Sequence, residues 1–404
     1  MSLGTQLPSM GVSLLFSVTA CAGMVEDWNA AVVVAVKQET LPPSLASRHF
    51  AMIHLAMWRA YSEMEDQVAA AGEAANEAAW QTSLTLLPAS RRAFEILRQQ
   101  YQATHVSQEG MEAGRKAAAE VLQWRRDDGA STTVPYIPHT EPGQWRRTAN
   151  GRPPESPHWG KVKPFLLPGI QAFLPGPPPA LDSAAYSEGW QRVYAEGAAG
   201  SSTRTGEQTL LARFWSDFSY TSTPPGHWNA IARDLSATRK LTITQSCALF
   251  ATLNIALADA GIVCFYTKYR DNFWRPETAI HNAANDGNEA TAPFPDWKPL
   301  LSSPPHPEYI SGHSCFSGAA AEVLHAFFPG QAVPFHAGSD ALPGVERTYH
   351  DFFQCAAEIS ESRVWGGIHF PFSTKAGLET GRKVGRYCVT HAPGLRSLKI
   401  LCNF

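Results

Sequence analysis

The chain has 404 residues, 44% of them hydrophobic, and 33 basic against 36 acidic side chains leave a formal charge of −3 at pH 7. That length suits one large domain or two ordinary ones, and that charge excludes a nucleic-acid-binding surface of the strongly basic kind. No run approaches the roughly twenty uninterrupted apolar residues of a membrane-spanning helix, so no transmembrane span is expected.

Residues 1–24 form a tail or a possible signal segment. Gly11 to Ala20 is apolar but short, and Val18-Thr19-Ala20-Cys21 looks like a lipoprotein processing site or the end of a secretory signal. Met1 to Met10 carries no Lys or Arg, which an export signal normally has. Both readings stay open, and cytoplasmic or exported with them. The rest, 25–404, reads as a single large all-helical domain. Its first part, 25–126, holds helices over Val25–Val36, Ser47–Met64, Gln67–Leu87, Ser90–Tyr101 and Glu109–Arg126, from apolar residues at helical spacing and many alanines. His54 in the second of these reads as a core or groove histidine.

From Asp127 to about 182 proline and glycine are dense and long periodic runs are absent. Trp145, Trp159, Phe165, Leu166 and Phe173 mark this stretch as an ordered wrap lying against the helices rather than a free linker. The part from 183 to 404 resumes helices over Ser183–Gly197, Thr205–Asp217, about Trp228–Ala237 and Thr242–Tyr269. Thr223-Pro224-Pro225-Gly226 reads as the stop before the third of these, and His227 either lines a channel or bonds at that turn. After a loop from His281 to Pro307, helices are expected over Ser314–Phe327, Val345–Glu361 and Ser373–Tyr387, with loop from Pro329 to Leu342. Nothing reads as a substantial sheet. Seven cysteines, at 21, 247, 264, 315, 355, 388 and 402, show neither metal-ligand spacing nor a paired framework.

Three clusters in the second half carry chemistry: Lys268 with Arg275-Pro276, then Ser311-Gly312-His313, then Ser362-Arg363 with His369. Lysine supplies a point charge and arginine a planar fork of donors that matches two oxygens of an oxyanion. Ser311 and Gly312 stand just before a helix, where free amides favour an anion. Pro276 disfavours helical geometry at Arg275, so the two cations converge from different directions. Gly366-Gly367 breaks the helix that carries Arg363 and lets the chain turn to His369. Two histidines beside such a set can bond to a central atom and move protons.

Order and spacing resemble the vanadium-dependent haloperoxidases, which share their site with the type 2 phosphatidic acid phosphatases and class A acid phosphatases. Lys268, six residues, Arg275-Pro276; Ser311-Gly312-His313; and Ser362-Arg363, five residues, His369 all match that pattern, and Ile310 stands where proline is usual. Weaker likenesses to the soluble bacterial-type members lie in Pro142–Phe165 and in the Pro-Pro-Gly-His-Trp stretch. The resemblance implies an all-α helical bundle with a vanadate cofactor and neither haem nor flavin. In it His369 binds vanadium, Lys268, Arg275, Ser311, Gly312 (through its amide) and Arg363 hold the vanadate oxygens, and His313 is the acid–base residue. Lys268 polarises the bound peroxide. Hydrogen peroxide, halide and a small organic acceptor are the implied partners, phosphate is a competing anion, and a homodimer is plausible. His306, seven before His313, sits where similar bromoperoxidases carry histidine, and Phe265 keeps an apolar wall. Both tilt the reading toward bromide or iodide over chloride. The alternative is a soluble acid phosphatase in which His369 attacks phosphorus to form a phosphohistidine and His313 protonates the leaving alcohol. A protein that merely holds phosphate or sulfate is a further possibility, which the intact pair of histidines disfavours.

Overall fold

A computed structural model of the chain describes residues 23–102, 107–137, 139–148, 151–329 and 334–392. The signal-like segment Gly11 to Cys21 lies outside them, as do Cys402 and the last residues of the tail. The protein is all-α. Its α-helices are α1 (Met24–Gln38), α2 (Pro43–Glu63), α3 (Val68–Leu86), α4 (Arg91–Gln102), α5 (Gln108–Trp124), α6 (Ala184–Gly197), α7 (Gly206–Phe214), α8 (Thr223–Arg239), α9 (Ile243–Asp271), α10 (Pro276–His281), α11 (Gly312–Phe327), α12 (Phe352–Trp365) and α13 (Pro371–His391).

The long α9 runs through the centre. A capping box starts it, with the Thr242 hydroxyl accepting from the Gln245 amide and the Gln245 side chain accepting from the Thr242 amide, and left-handed Asn272 ends it. Although α9 is long and apolar enough to cross a membrane, its apolar window is wholly buried within the protein. On one side it meets α2, which carries α3 and α5; on the other it meets α11 and α13. One continuous apolar cluster reaches from Met24 to Cys388.

Close helix contacts follow from small residues. A Cβ on Gly381 of α13 would stand 1.9 Å from the Cys315 carbonyl oxygen of α11, and one on Gly318 of α11 would stand 2.4 Å from the Leu378 oxygen of α13. The two helices can touch backbone to backbone only because those side chains are absent. This matters for the site, because both helices begin at it.

The wrap is pinned from below. The buried Asp259 carboxylate of α9 accepts the amides of Phe165, Leu166 and Leu167 at 2.6, 2.9 and 3.0 Å. Arg125 donates to the Lys163 and Pro164 carbonyls, and Arg48 and Arg125 both bond Asp128.

Three expectations need correction. The helix expected over Val345–Glu361 is instead a strand followed by a helix. Strand β1 (Phe335–Gly338) pairs antiparallel with β2 (Glu346–Tyr349), inside stretches read as loop and as helix respectively. The Asp351 side chain then caps α12 by accepting from the Phe353 and Gln354 amides, and a helix cannot run through its own N-cap. Pro224-Pro225-Gly226 is the first turn of α8 rather than a stop before it, since proline's missing N–H is harmless there. Likewise α7 ends at Phe214 and Asp217 takes a left-handed φ of 42°, so Asp217 leaves the helix and turns toward the site.

Candidate functional site

The three sequence clusters arrive at the ends of different helices. Lys268 is in the last turn of α9, and Arg275 is the extended N-cap of α10. Ser311 is the N-cap of α11, its hydroxyl accepting from the Ser314 amide at 3.4 Å, with Gly312 and His313 in the first turn. Arg363 is in the last turn of α12. Gly366 then caps that helix, and Gly367 takes φ 74° with no room for a side chain, since a Cβ would lie 2.3 Å from the Gly197 oxygen. That turn brings His369 to the mouth of α13.

All nine sequence-predicted residues meet at one place. Phe265, His306, Gly312, His313, Arg363 and His369 line a cavity of about 300 Å³. Lys268, Arg275 and Ser311 stand fully buried behind it. The Lys268 ammonium donates to the carbonyls of Pro307 (2.9 Å) and Glu308 (3.0 Å). Arg275 donates through Nε to the His306 carbonyl (3.0 Å) and through Nη1 to the Ile368 carbonyl (2.9 Å). Its Nη1 also meets His369 Nε2 at 3.1 Å, and its Nη2 meets His306 Nδ1 at 2.9 Å. Arg363 donates Nη1 to the Trp215 carbonyl at 2.5 Å, while its buried Nε and Nη2 have no partner among the described residues.

None of these three cations forms an ion pair with a carboxylate among the described residues, so their charge is left to act on the cavity. Burial pulls Lys268 down to about 8 and both Arg275 and Arg363 to about 10. The imidazoles respond more strongly. Burial holds His306, His313 and His369 well below the ordinary histidine range, and the neighbouring cations push the same way: Lys268 and Arg275 on His306, Arg363 on His313, Arg275 on His369. All three rings are neutral near pH 7.

His306 is buried against Arg275 rather than exposed between its two prolines, with its ring 5.4 Å from that of Phe265. His227 lies within α8, its Nδ1 3.1 Å from both Asp217 carboxylate oxygens. Structural bonding is therefore its place, and Asp217 is the member of that pair that lines the cavity. His54 is a core histidine that bonds Asn29 and stacks on Phe250.

Sequence reasoning missed three contributors. Glu308 is fully buried, and its Oε1 stands 2.8 Å from His369 Nδ1 and 3.0 Å from the Phe370 amide. The Ser216 carbonyl meets His313 Nε2 at 3.2 Å, and Asp217 lies beside it. Only Glu308 left a signal, as an acid three residues ahead of Ser311; nothing in the sequence marks Ser216 or Asp217.

A helical scaffold around three buried cations, none of them ion-paired among the described residues, and neutral histidines has the chemistry of an oxyanion site. Comparison with known proteins narrows that reading. A family model described as the VCPO second helical-bundle domain matches residues 248–397. Vanadium chloroperoxidase of Curvularia inaequalis is 26% identical over 200 residues, 44% of this chain; the match spans a third of that relative's length, 33%. The crystal structure of the first bacterial vanadium-dependent iodoperoxidase superposes with a TM-score of 0.78 at 28% identity, covering 91% of this chain and 95% of that one. An apo-type bacterial vanadium-dependent chloroperoxidase follows at 0.69 and 17%, covering 86% and 93%, a likeness of fold alone. Residues 248–397 thus match the second helical-bundle domain of the vanadium chloroperoxidases, and the fold as a whole is similar to that of the bacterial vanadium iodoperoxidase.

Proposed function

We propose that this protein is an enzyme that uses vanadate to oxidise halide with hydrogen peroxide, giving a hypohalous acid equivalent that halogenates small organic acceptors. The observation that carries this reading is Arg363: a buried guanidinium with two unpaired donor nitrogens on the wall of a cavity that Lys268 and Arg275 back. Leaving such donors unmet is costly, and a tetrahedral or trigonal oxyanion meets them. The residues present fit vanadate. Lys268, Arg275, Arg363, the Ser311 hydroxyl and the Gly312 amide would hold its oxygens, and the neutral His369 ring would be its nitrogen ligand.

Bound vanadate supplies a Lewis-acidic centre that activates peroxide without changing oxidation state, so neither haem nor flavin is needed. The chain's own groups do the rest. Because the Ser216 carbonyl accepts from His313 Nε2, the Nδ1 lone pair is left as the proton acceptor, and the depressed pKa of the ring keeps that lone pair free. Lys268, held by two carbonyls, presents its charge without a carboxylate to cancel it. Bromide or iodide is favoured over chloride, supported by His306 and Phe265 standing together on the cavity wall. The names of similar proteins divide between chloride and iodide, so the family by itself does not fix the halide.

The test is a split assay on one phosphate-free preparation. Bromination of a phenolic dye with peroxide and bromide is followed with and without orthovanadate, beside hydrolysis of an aryl phosphate. The reading expects bromination that needs vanadate and is lost in His369→Ala. Fast ester hydrolysis inhibited by vanadate, with no bromination, would instead make His369 the nucleophile of an acid phosphatase.

A further inference from the structure

Among the described residues Glu308 is the one carboxylate bonded to His369, and its side chain also accepts the amide of Phe370 at the start of α13. Its Oε1 receives the His369 ring at 2.8 Å and the Phe370 amide at 3.0 Å, while Oε2 has no partner among the described residues. On the opposite edge of the ring, Arg275 Nη1 stands 3.1 Å from Nε2. A guanidinium only donates, so Nε2 must accept, and in a neutral ring Nδ1 then carries the proton and faces the Glu308 oxygen. The carboxylate reaches the ring from the loop ahead of α11, a segment remote in sequence from α13, and its own backbone carbonyl is tied to Lys268. The ring is thereby fixed in orientation as well as in protonation.

We propose that Glu308 is a positioning residue for His369: by accepting the Nδ1–H hydrogen bond it keeps the ring's lone pair on Nε2, the nitrogen that Arg275 meets here and that an anion drawing Arg275 onto its own oxygens would free for bonding, and so gives the site its preference for vanadate, which can bond to that nitrogen, over phosphate, which binds there through its oxygens. This rests on the reading of His369 as the vanadium ligand. It separates two effects that a merely structural role would not. Removing a buried negative charge from among three cations favours any anion, so phosphate affinity holds or rises. Losing the partner of a ligating histidine weakens metal binding by roughly 10–100-fold.

The test titrates wild type, Glu308→Gln, Glu308→Ala and His369→Ala, each stripped of phosphate, with orthovanadate and separately with inorganic phosphate by calorimetry. Nitrogen-15 ring spectra of histidine-labelled wild type report the His369 tautomer without any substitution. The expected result is a protonated Nδ1 in wild type. In Glu308→Ala vanadate affinity falls at least tenfold while phosphate affinity is unchanged or higher, and Glu308→Gln, which keeps an acceptor oxygen, falls between. A wild-type ring protonated on Nε2 overturns the proposal, even if the variants fail to fold. Vanadate affinity lost in His369→Ala but kept in both Glu308 variants overturns it while sparing the ligand reading. Vanadate bound as tightly by His369→Ala as by wild type sinks the ligand reading itself.

Discussion

Replacing Arg363 by methionine should make the anion-free protein more stable and unable to hold its anion. The guanidinium is fully buried and has one hydrogen bond, to the Trp215 carbonyl, against two donor nitrogens with none. Each buried donor left unpaired costs about 1–3 kcal/mol, while a hydrogen bond from a charged group contributes about 1.5–3 kcal/mol. Exchanging a buried charge for an apolar chain of similar volume is neutral or stabilising by about 1–4 kcal/mol. The balance favours Arg363→Met by about 1–2 kcal/mol, a rise in melting temperature of about 2–4 °C or somewhat less in a chain this long. Thermal melts at one scan rate in phosphate-free buffer, with and without orthovanadate, read both halves. Wild type at a hundredfold excess over Kd gains about 2.7 kcal/mol, whereas the variant gains nothing. A variant that melts lower than wild type without anion, yet still shifts with vanadate, would refute the claim that Arg363 is held in deficit for the anion.

Two further outcomes follow from groups away from the cavity. Burial lowers His49 and His54 to about 3, so the unfolded chain takes up their protons near 6.5 while the folded chain does not. Stability is therefore intact above about 6.5 and falls by about 1.4 kcal/mol per pH unit per histidine as the pH drops from there toward 3. Urea midpoints of wild type and His54→Gln at pH 7 and pH 5 should show the variant losing about 2 kcal/mol less on acidification; equal losses would count against the assignment. Gly381→Ala should destabilise the protein by about 1–3 kcal/mol or more, because its methyl would sit 1.9 Å from the Cys315 oxygen, where carbon and oxygen need about 3.3 Å. Gly72→Ala in α3, with nothing within 4 Å, is the control and should stabilise by about 0.5–1 kcal/mol. A Gly381→Ala melt equal to wild type would show that α11 and α13 are not in backbone contact.

The fold class was legible because apolar spacing of 3.6 recurs through both halves, and Lys268, Arg275, Ser311, His313, Arg363 and His369 were legible because they fall at fixed separations on short segments. What escaped was of two kinds. The β1–β2 hairpin is eight residues of strand in all, and its second strand runs straight into the helix capped by Asp351, so period alone gave helix throughout. Ser216 contributes a main-chain oxygen, which any residue could supply; no sequence encodes that by residue type. Asp217 lies 96–152 positions from His313, Arg363 and His369, and Glu308 lies 61 from His369, as tertiary neighbours whose distance in the chain carries no regular spacing.

The partners of the cations account for the positive charge that the proposed anion site retains. Lys268, Arg275 and, through one nitrogen only, Arg363 donate to carbonyls of Pro307, Glu308, His306, Ile368 and Trp215, which lie in loops or just past helix ends, where main-chain oxygens lack helical partners. A carbonyl stabilises a cation without cancelling its charge; a carboxylate would do both. Glu308 makes the distinction within one residue. Its main-chain oxygen meets Lys268, while its carboxylate is turned away onto His369. Were the side chain to meet Lys268 instead, one of three positive charges would be neutralised and the ring would lose its proton acceptor. On the proposed reading, the loop from Pro305 to Ser311 therefore sets both the net charge offered to the anion and which nitrogen of His369 keeps its lone pair.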